Sequence, residues 1–190
     1  MHEWPDFLDQ DAPTVARKLL GCYLIRKIDG VAVRVRIVET EAYRQDDAAS
    51  HSYKGETART EVMFGENGRL YVYFTYGMHY CCNVVAGAVG YGAGVLIRAV
   101  EPLGDVAPLV ARRYGRSGPD LTNGPAKLCQ ALGIDMNLSG HDLRAGELRL
   151  VTGDRVDESD IVTTNRVGIT KAIDIPWRFY LRNNPFVSKQ

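Results

Sequence analysis

The sequence predicts an α+β fold: a single domain with a curved, mainly antiparallel β-sheet flanked by a few helices. Three observations lead there. Apolar residues recur with strand-like patterning at 31–38, 70–76 and 95–102. A hairpin signal such as Asp29-Gly30 joins neighbouring runs directly, with no crossover helix between them. Helical patterning is confined to short stretches, which favours hairpins over βαβ units. At 190 residues the chain can bury one good core, so residues 1–190 are expected to form one domain.

Taken in order, the chain opens with a short helix from Asp11 to Leu20. Pro13 sits in its first turn, Gly21 lies just past its end, and Val15, Leu19 and Leu20 form its apolar stripe. Residues 22–28 read as a strand, turned by Asp29-Gly30 into a second strand over 31–39. If that strand continues, Glu39 and Glu41 share the face of Val35 and Ile37. Carboxylates on an apolar face are paired, sit at a strand end, or do chemistry. Residues 44–69 form a long polar connection, expected to be functional or to carry short helices. Lys54, Arg59 and Thr60 in it are candidate phosphate contacts; a solvated loop of mixed charge is the other reading.

Residues 70–76 read as a strand that turns at Tyr76-Gly77-Met78 and returns over 80–86. Gly77 permits a positive φ, which puts Tyr76 at a poorly buried tip. A ring held there is a candidate wedge between stacked bases. After a glycine-rich turn, the strand at 95–102 is interrupted by Arg98, which either escapes at an edge or meets a carboxylate, Glu41 being the candidate. Residues 106–113 pattern as a helix, and 114–120 as a loop. Asn123-Gly124-Pro125 starts a helix over 126–132 that Gly133 stops. Lys127 in its first turn opposes the helix dipole, which hints at a nearby anion. A strand at 148–151, an acidic loop at 154–160, closing strands at 166–169 and 177–181, and a turn at Asn183-Asn184-Pro185 complete the chain.

Composition narrows the function. Lys+Arg and Asp+Glu number 23 each, so any nucleic-acid face must be a local basic patch balanced by acid elsewhere. Cys22, Cys81, Cys82 and Cys129 contain no CxxC pair; free structural thiols in a reducing compartment are expected, with no zinc site. No apolar run reaches membrane length, and the segment Met1 to Asp6 lacks the pattern of a signal peptide. A soluble intracellular protein is expected, cytoplasmic at the bacterial nucleoid or nuclear in a eukaryote.

Residues 37–83 hold six tyrosines, carboxylates and an amide, more polar and aromatic chemistry than a strand pair needs for packing. Tyr43, His51 and Tyr73 could line a slot for a flat ring. Glu39-Thr40-Glu41-Ala42-Tyr43, His51-Ser52, Leu70-Tyr71-Val72-Tyr73, Tyr76-Gly77-Met78, Asn83 and Gly124-Pro125-Ala126-Lys127-Leu128 together resemble the alkyladenine/3-methyladenine DNA glycosylase family. The likeness runs from about Ala16 to Ser188. It implies a single mixed domain that flips an alkylated or deaminated purine out of double-stranded DNA and hydrolyses its glycosidic bond. By the same resemblance Glu41 activates the water, with Arg98 and the backbone of Val167 helping to hold it. Tyr43, His51 and Tyr73 take the base-pocket positions, and Asn83 crowds the exocyclic group of guanine. Tyr76 fills the gap left by the flipped nucleotide, flanked by Met78 and His79. Stacking tyrosines would favour a cationic methylated purine. No lysine stands out as a Schiff-base nucleophile, so a monofunctional monomer without metal or cofactor is expected.

Two other classes fit the same residues. A carbohydrate glycoside hydrolase could use Glu39 and Glu41, which lie ~6.5–7 Å apart at i and i+2 of a strand. A non-catalytic binder of damaged DNA would keep Tyr76 and tolerate loss of Glu41.

Overall fold

The computed structural model describes residues 3–188; Met1 and His2, the first two residues of the segment read above for a signal peptide, lie outside them. In chain order it contains α1 (Ala12–Lys18), β1 (Tyr23–Ile28), β2 (Val31–Tyr43), α2 (Glu61–Phe64), β3 (Leu70–Thr75), β4 (His79–Val85), β5 (Gly94–Leu103), α3 (Ala107–Arg112), α4 (Pro125–Leu132), β6 (Leu148–Val151), β7 (Ile161–Thr164) and β8 (Arg178–Leu181). Every strand pairing is antiparallel, in the order β3-β4-β5-β2-β1-β6, with β8 adding to β2 and β7 to β8. The α+β class is therefore as expected. No described helix is long and apolar enough to cross a membrane.

Local chemistry sets the ends. Asp11 caps α1 by accepting from the Thr14 N–H, and Pro13 fits its first turn. Gly133 ends α4 in the left-handed conformation at φ 60°. The main core lies between the sheet and α1, α3 and α4, with Val15, Leu19, Leu24, Ile37, Ile97, Leu109, Leu128 and Leu132 each essentially closed to solvent. Cys22, Cys81, Cys82 and Cys129 are free and buried. Burial pushes the Cys22 and Cys81 thiols up to about 11, so both stay protonated at neutral pH.

The strand β2 organises the sheet and corrects one expectation. It pairs with β5 as Ile37↔Val100, then Glu39↔Ala99, then Thr40↔Ile97. Val38 is thus an extra residue on β2, and Arg98 an extra residue on β5. A bulge of this kind inverts which side chains face which side. Before it, Val33, Val35 and Ile37 face the core while Arg36 reaches Glu101 on the other side. After it, Val38 and Ala42 are in the core and Thr40 Oγ1 donates to Ala16 O of α1 at 2.8 Å. Glu39 and Glu41 therefore stand opposite Val35 and Ile37, not beside them. The simple alternation failed because it assumed an unbroken register. Past the bulge β2 also changes neighbours, taking β8 as Glu39↔Tyr180, Thr40↔Phe179 and Glu41↔Arg178.

One further expectation changes and another holds. The penultimate strand is Ile161–Thr164, and residues 166–169 form a loop. The polar connection at 44–69 does carry a short helix, α2.

Candidate active site

The carboxylates are buried but not equivalent. Glu39 has no exposed surface. Its Oε1 accepts from Arg98 Nε at 2.9 Å, Arg178 Nε at 2.8 Å and Ser188 Oγ at 2.9 Å, and its Oε2 from the Ser188 N–H at 2.7 Å. These four bonds hold Glu39 in place, and neither Glu39 nor its partners Arg178 and Ser188 line the cavity described below. Its position suits the orienting of Arg98. This weighs against a paired-carboxylate hydrolase, which needs both groups free at the sugar.

Glu41 is different. Its Oε1 accepts the Val167 N–H at 2.7 Å and lies 3.3 Å from Arg98 Nη1, while its Oε2 accepts from the Tyr43 hydroxyl at 2.8 Å. Three donors leave one acceptor direction, on Oε2, for a further proton. Burial would lower the basicity of the Arg98 guanidinium, but Glu41 and Glu39 outweigh it, so Arg98 stays charged. Burial first, then the charge of Glu41, raises the Tyr43 phenol, which stays protonated and donating.

Beside this cluster lies a cavity of about 530 Å³, within the range of small-molecule sites. Tyr43, His51, Tyr73, Asn83, Arg98 and Val167 line it, and so does Tyr76. Glu41 does not reach its wall; Tyr43, Arg98 and Val167 stand between. The slot is aromatic on one side: His51 meets Tyr73 edge-on at 4.5 Å, and Tyr71 stacks on Tyr73 at 5.7 Å. His51 Nδ1 lies 3.1 Å from the Tyr71 hydroxyl. Burial and, behind it, the nearby Arg59 lower the His51 pKa, so the ring is neutral at pH 7. Burial likewise raises the Tyr73 phenol, with Cys81 adding to it. Asn83 is buried and its Nδ2 donates to Tyr71 O at 3.3 Å.

The hairpin tip stands out from the rest. Tyr76 is 84% exposed and Met78 70%, and His79 is exposed too. Tyr76 and Gly77 both have positive φ, 51° and 68°, and the Met78 N–H closes the turn on Thr75 O at 3.3 Å.

The candidate phosphate contacts separate. Lys54 and Arg59 are exposed, and Arg59 stands 5.9 Å over the Tyr73 ring at the cavity's edge. Thr60 is buried, and its hydroxyl holds the loop through Thr57 and Gly55, a placement that leaves nothing for a phosphate. Lys127 has its anion within the chain: Nζ donates to Asp120 at 2.6 Å and Asn123 at 2.8 Å. No described cluster of His, Cys, Asp and Glu could hold a metal ion. Sequence reasoning missed Lys171, exposed on the cavity rim, and Tyr71 and Cys81 in its wall. Tyr71 could have been found from its strand period with Tyr73; the loop carrying Lys171 gives no such signal.

Comparison with known proteins agrees on one family. A sequence model of methylpurine-DNA glycosylases matches residues 6–185. A Carboxydothermus hydrogenoformans protein is 52% identical over 97% of both chains, and a Methanoculleus marisnigri protein 47% over 97% of both. A Clostridium beijerinckii protein is 45% identical over 97% of this chain and 98% of its own. All three carry the provisional name of 3-methyladenine DNA glycosylase.

Proposed function

The chain belongs to the methylpurine-DNA glycosylase family, and from that premise we propose that it is a monofunctional hydrolase that releases alkylated or deaminated purines from duplex DNA. The cavity takes the flipped base between Tyr43 on one side and His51 and Tyr73 on the other. Water attacks C1′ of the sugar, Glu41 accepts its proton, and the base leaves with the electrons of the glycosidic bond. The carboxylate also opposes the positive charge that develops on the sugar. Arg98 and the Val167 N–H fix Glu41 from one side, leaving its free acceptor direction for the water. Tyr76 occupies the gap in the stack.

The observation that carries this reading is the contrast between the two glutamates. Glu39 is held by Arg98, Arg178 and Ser188, away from the slot, whereas all three donors to Glu41, from Tyr43, Arg98 and Val167, line it. Glu41 sits behind the wall formed by Tyr43, Arg98 and Val167, so entry of substrate must part that wall enough to admit one water.

The test is base release from methylated DNA and from a duplex carrying one hypoxanthine, by wild type and Glu41→Gln. A loss of at least about 10²-fold with lesion binding retained is expected from removing a general base. Unchanged release by the variant would overturn the assignment. Tight lesion binding with no release by wild type would favour the binding module. Abasic product that stays intact until alkali is added supports the monofunctional reading; borohydride trapping of enzyme on DNA would instead point to an amine such as Lys171.

A further inference from the structure

We infer that the buried Asp47–Arg166 ion pair is a latch that joins the two lips of the cavity and sets the Val167 N–H on Glu41; this rests on the reading of Glu41 as the catalytic base. Both side chains are fully closed to solvent. Asp47 immediately precedes Ala48 and Ala49 on one lip, and Arg166 immediately precedes Val167 and the 168–171 segment on the other. Arg166 pairs with Asp47 through both terminal nitrogens, Nη2 reaching Oδ1 at 3.0 Å. Its Nη1 also donates to Ala42 O at 2.9 Å, at the end of β2, and its Nη2 to Ala172 O at 3.4 Å, just past the second lip. Asp47 Oδ1 in turn accepts the Ala49 N–H at 3.0 Å.

One guanidinium thus ties together a strand end and both loops, and its central carbon lies 4.7 Å from the centre of the Tyr43 ring and 5.4 Å from that of Trp177. The placement matters because the Val167 donor is a backbone group on a loop. No strand partner fixes it, since residues 166–169 lie outside the sheet. The side chain one residue earlier is what fixes it. A planar fork with several donors can span these partners at once, which a lysine cannot. Neither Asp47 nor Arg166 lines the cavity, so both are positioning residues.

The experiment measures single-turnover release of hypoxanthine, per folded molecule, together with affinity for the same duplex. The variants are Arg166→Lys, Asp47→Asn and the double Asp47→Leu/Arg166→Met. The apolar pair removes both buried charges together, a replacement that folds tolerate better than loss of one partner. A displaced catalytic donor is expected to slow release by about 10²-fold, with lesion affinity within about threefold of wild type. A purely structural role would lower the melting temperature and leave the rate per folded molecule unchanged. A folded double variant that releases base at the wild-type rate would overturn the latch. Glu41→Gln run alongside separates the two ideas. If it abolishes release while the latch variants do not, the latch alone fails; if it leaves release intact, the reading of Glu41 fails first.

Discussion

Two hairpins of this protein use the same turn and fill it differently. Asp29-Gly30, between β1 and β2, has φ values of 49° and 85°. Tyr76-Gly77, between β3 and β4, has 51° and 68°. Positive φ at both central positions is the pattern of a type I′ turn, which suits the twist of the strands it joins and favours Asp-Gly or Asn-Gly. Asp29 obeys that preference. Tyr76 does not: a bulky side chain at positive φ is an outlier costing about 1–3 kcal/mol. Nor does burial offset the cost, because the ring is 84% exposed. The first turn is explained by folding alone. The second spends stability on placing a ring in solvent, and a strained, exposed aromatic at the edge of a cavity is best explained by what it meets there.

The largest effect that could break this contrast is loss of the ring. A stacked base is worth about 1–3 kcal/mol to an aromatic side chain. Tyr76→Ala is therefore expected to weaken lesion-duplex binding by roughly 5- to 150-fold, read by titration of a hypoxanthine duplex. Equal affinity for wild type and variant would make the tip no more functional than Asp29. A smaller, opposite pair of changes sharpens the point. Tyr76→Asn restores the preferred turn chemistry and is expected to raise stability by about 1 kcal/mol while slowing base release. Asp29→Tyr imposes the strain on the other hairpin and is expected to cost about 1 kcal/mol with release unchanged. Denaturant midpoints and base-release rates of the two variants must cross in this way; parallel changes in both would dissolve the distinction.

The same contrast marks what could be read from the sequence. Turn chemistry is local, so Asp29-Gly30, Gly77 and Gly133 announced their turns correctly. Strand alternation is also local, and it placed β1, β3, β4, β5 and β6 closely. It failed where partners decide the geometry. The bulge at Val38 depends on Arg98 bulging opposite it, and no single-strand pattern contains that pairing. The slip inverted the expected facing of Glu39 and Glu41. Tyr43, His51, Tyr73 and Arg98 were read from the residues and by resemblance alike, whereas the places of Asn83 and Val167 came from the resemblance. Their convergence on one cavity is a fact of the fold that spacing could not supply. Thr60 and Lys127 show that a polar side chain in sequence does not reveal its partner. Here the partners are the chain's own loop and Asp120.

If the tip supplies a wedge and the cavity supplies discrimination, pH must act through the cavity. His51 is neutral at pH 7 because burial, and then Arg59, hold its pKa below the ordinary histidine value. Raising pH therefore leaves its charge unchanged, and lowering pH through that depressed pKa adds a positive charge to the aromatic slot. A cationic methylated purine is then repelled, whereas neutral hypoxanthine is not. The expected penalty for the cationic lesion is below about 1 kcal/mol, since His51 is exposed enough for water and salt to screen its charge. The ratio of methylpurine to hypoxanthine release should stay flat from mildly alkaline pH down through the ordinary histidine range and decline only as pH falls through the depressed pKa of His51. His51→Gln should flatten that decline, and Tyr76→Ala should keep it. The sign for stability runs the same way: a depressed histidine favours the folded state least at low pH, so stability contributed at this site declines as pH falls through the unfolded value. A decline that His51→Gln kept and Tyr76→Ala abolished would place the discrimination at the tip and reverse the division of labour between the hairpin and the slot.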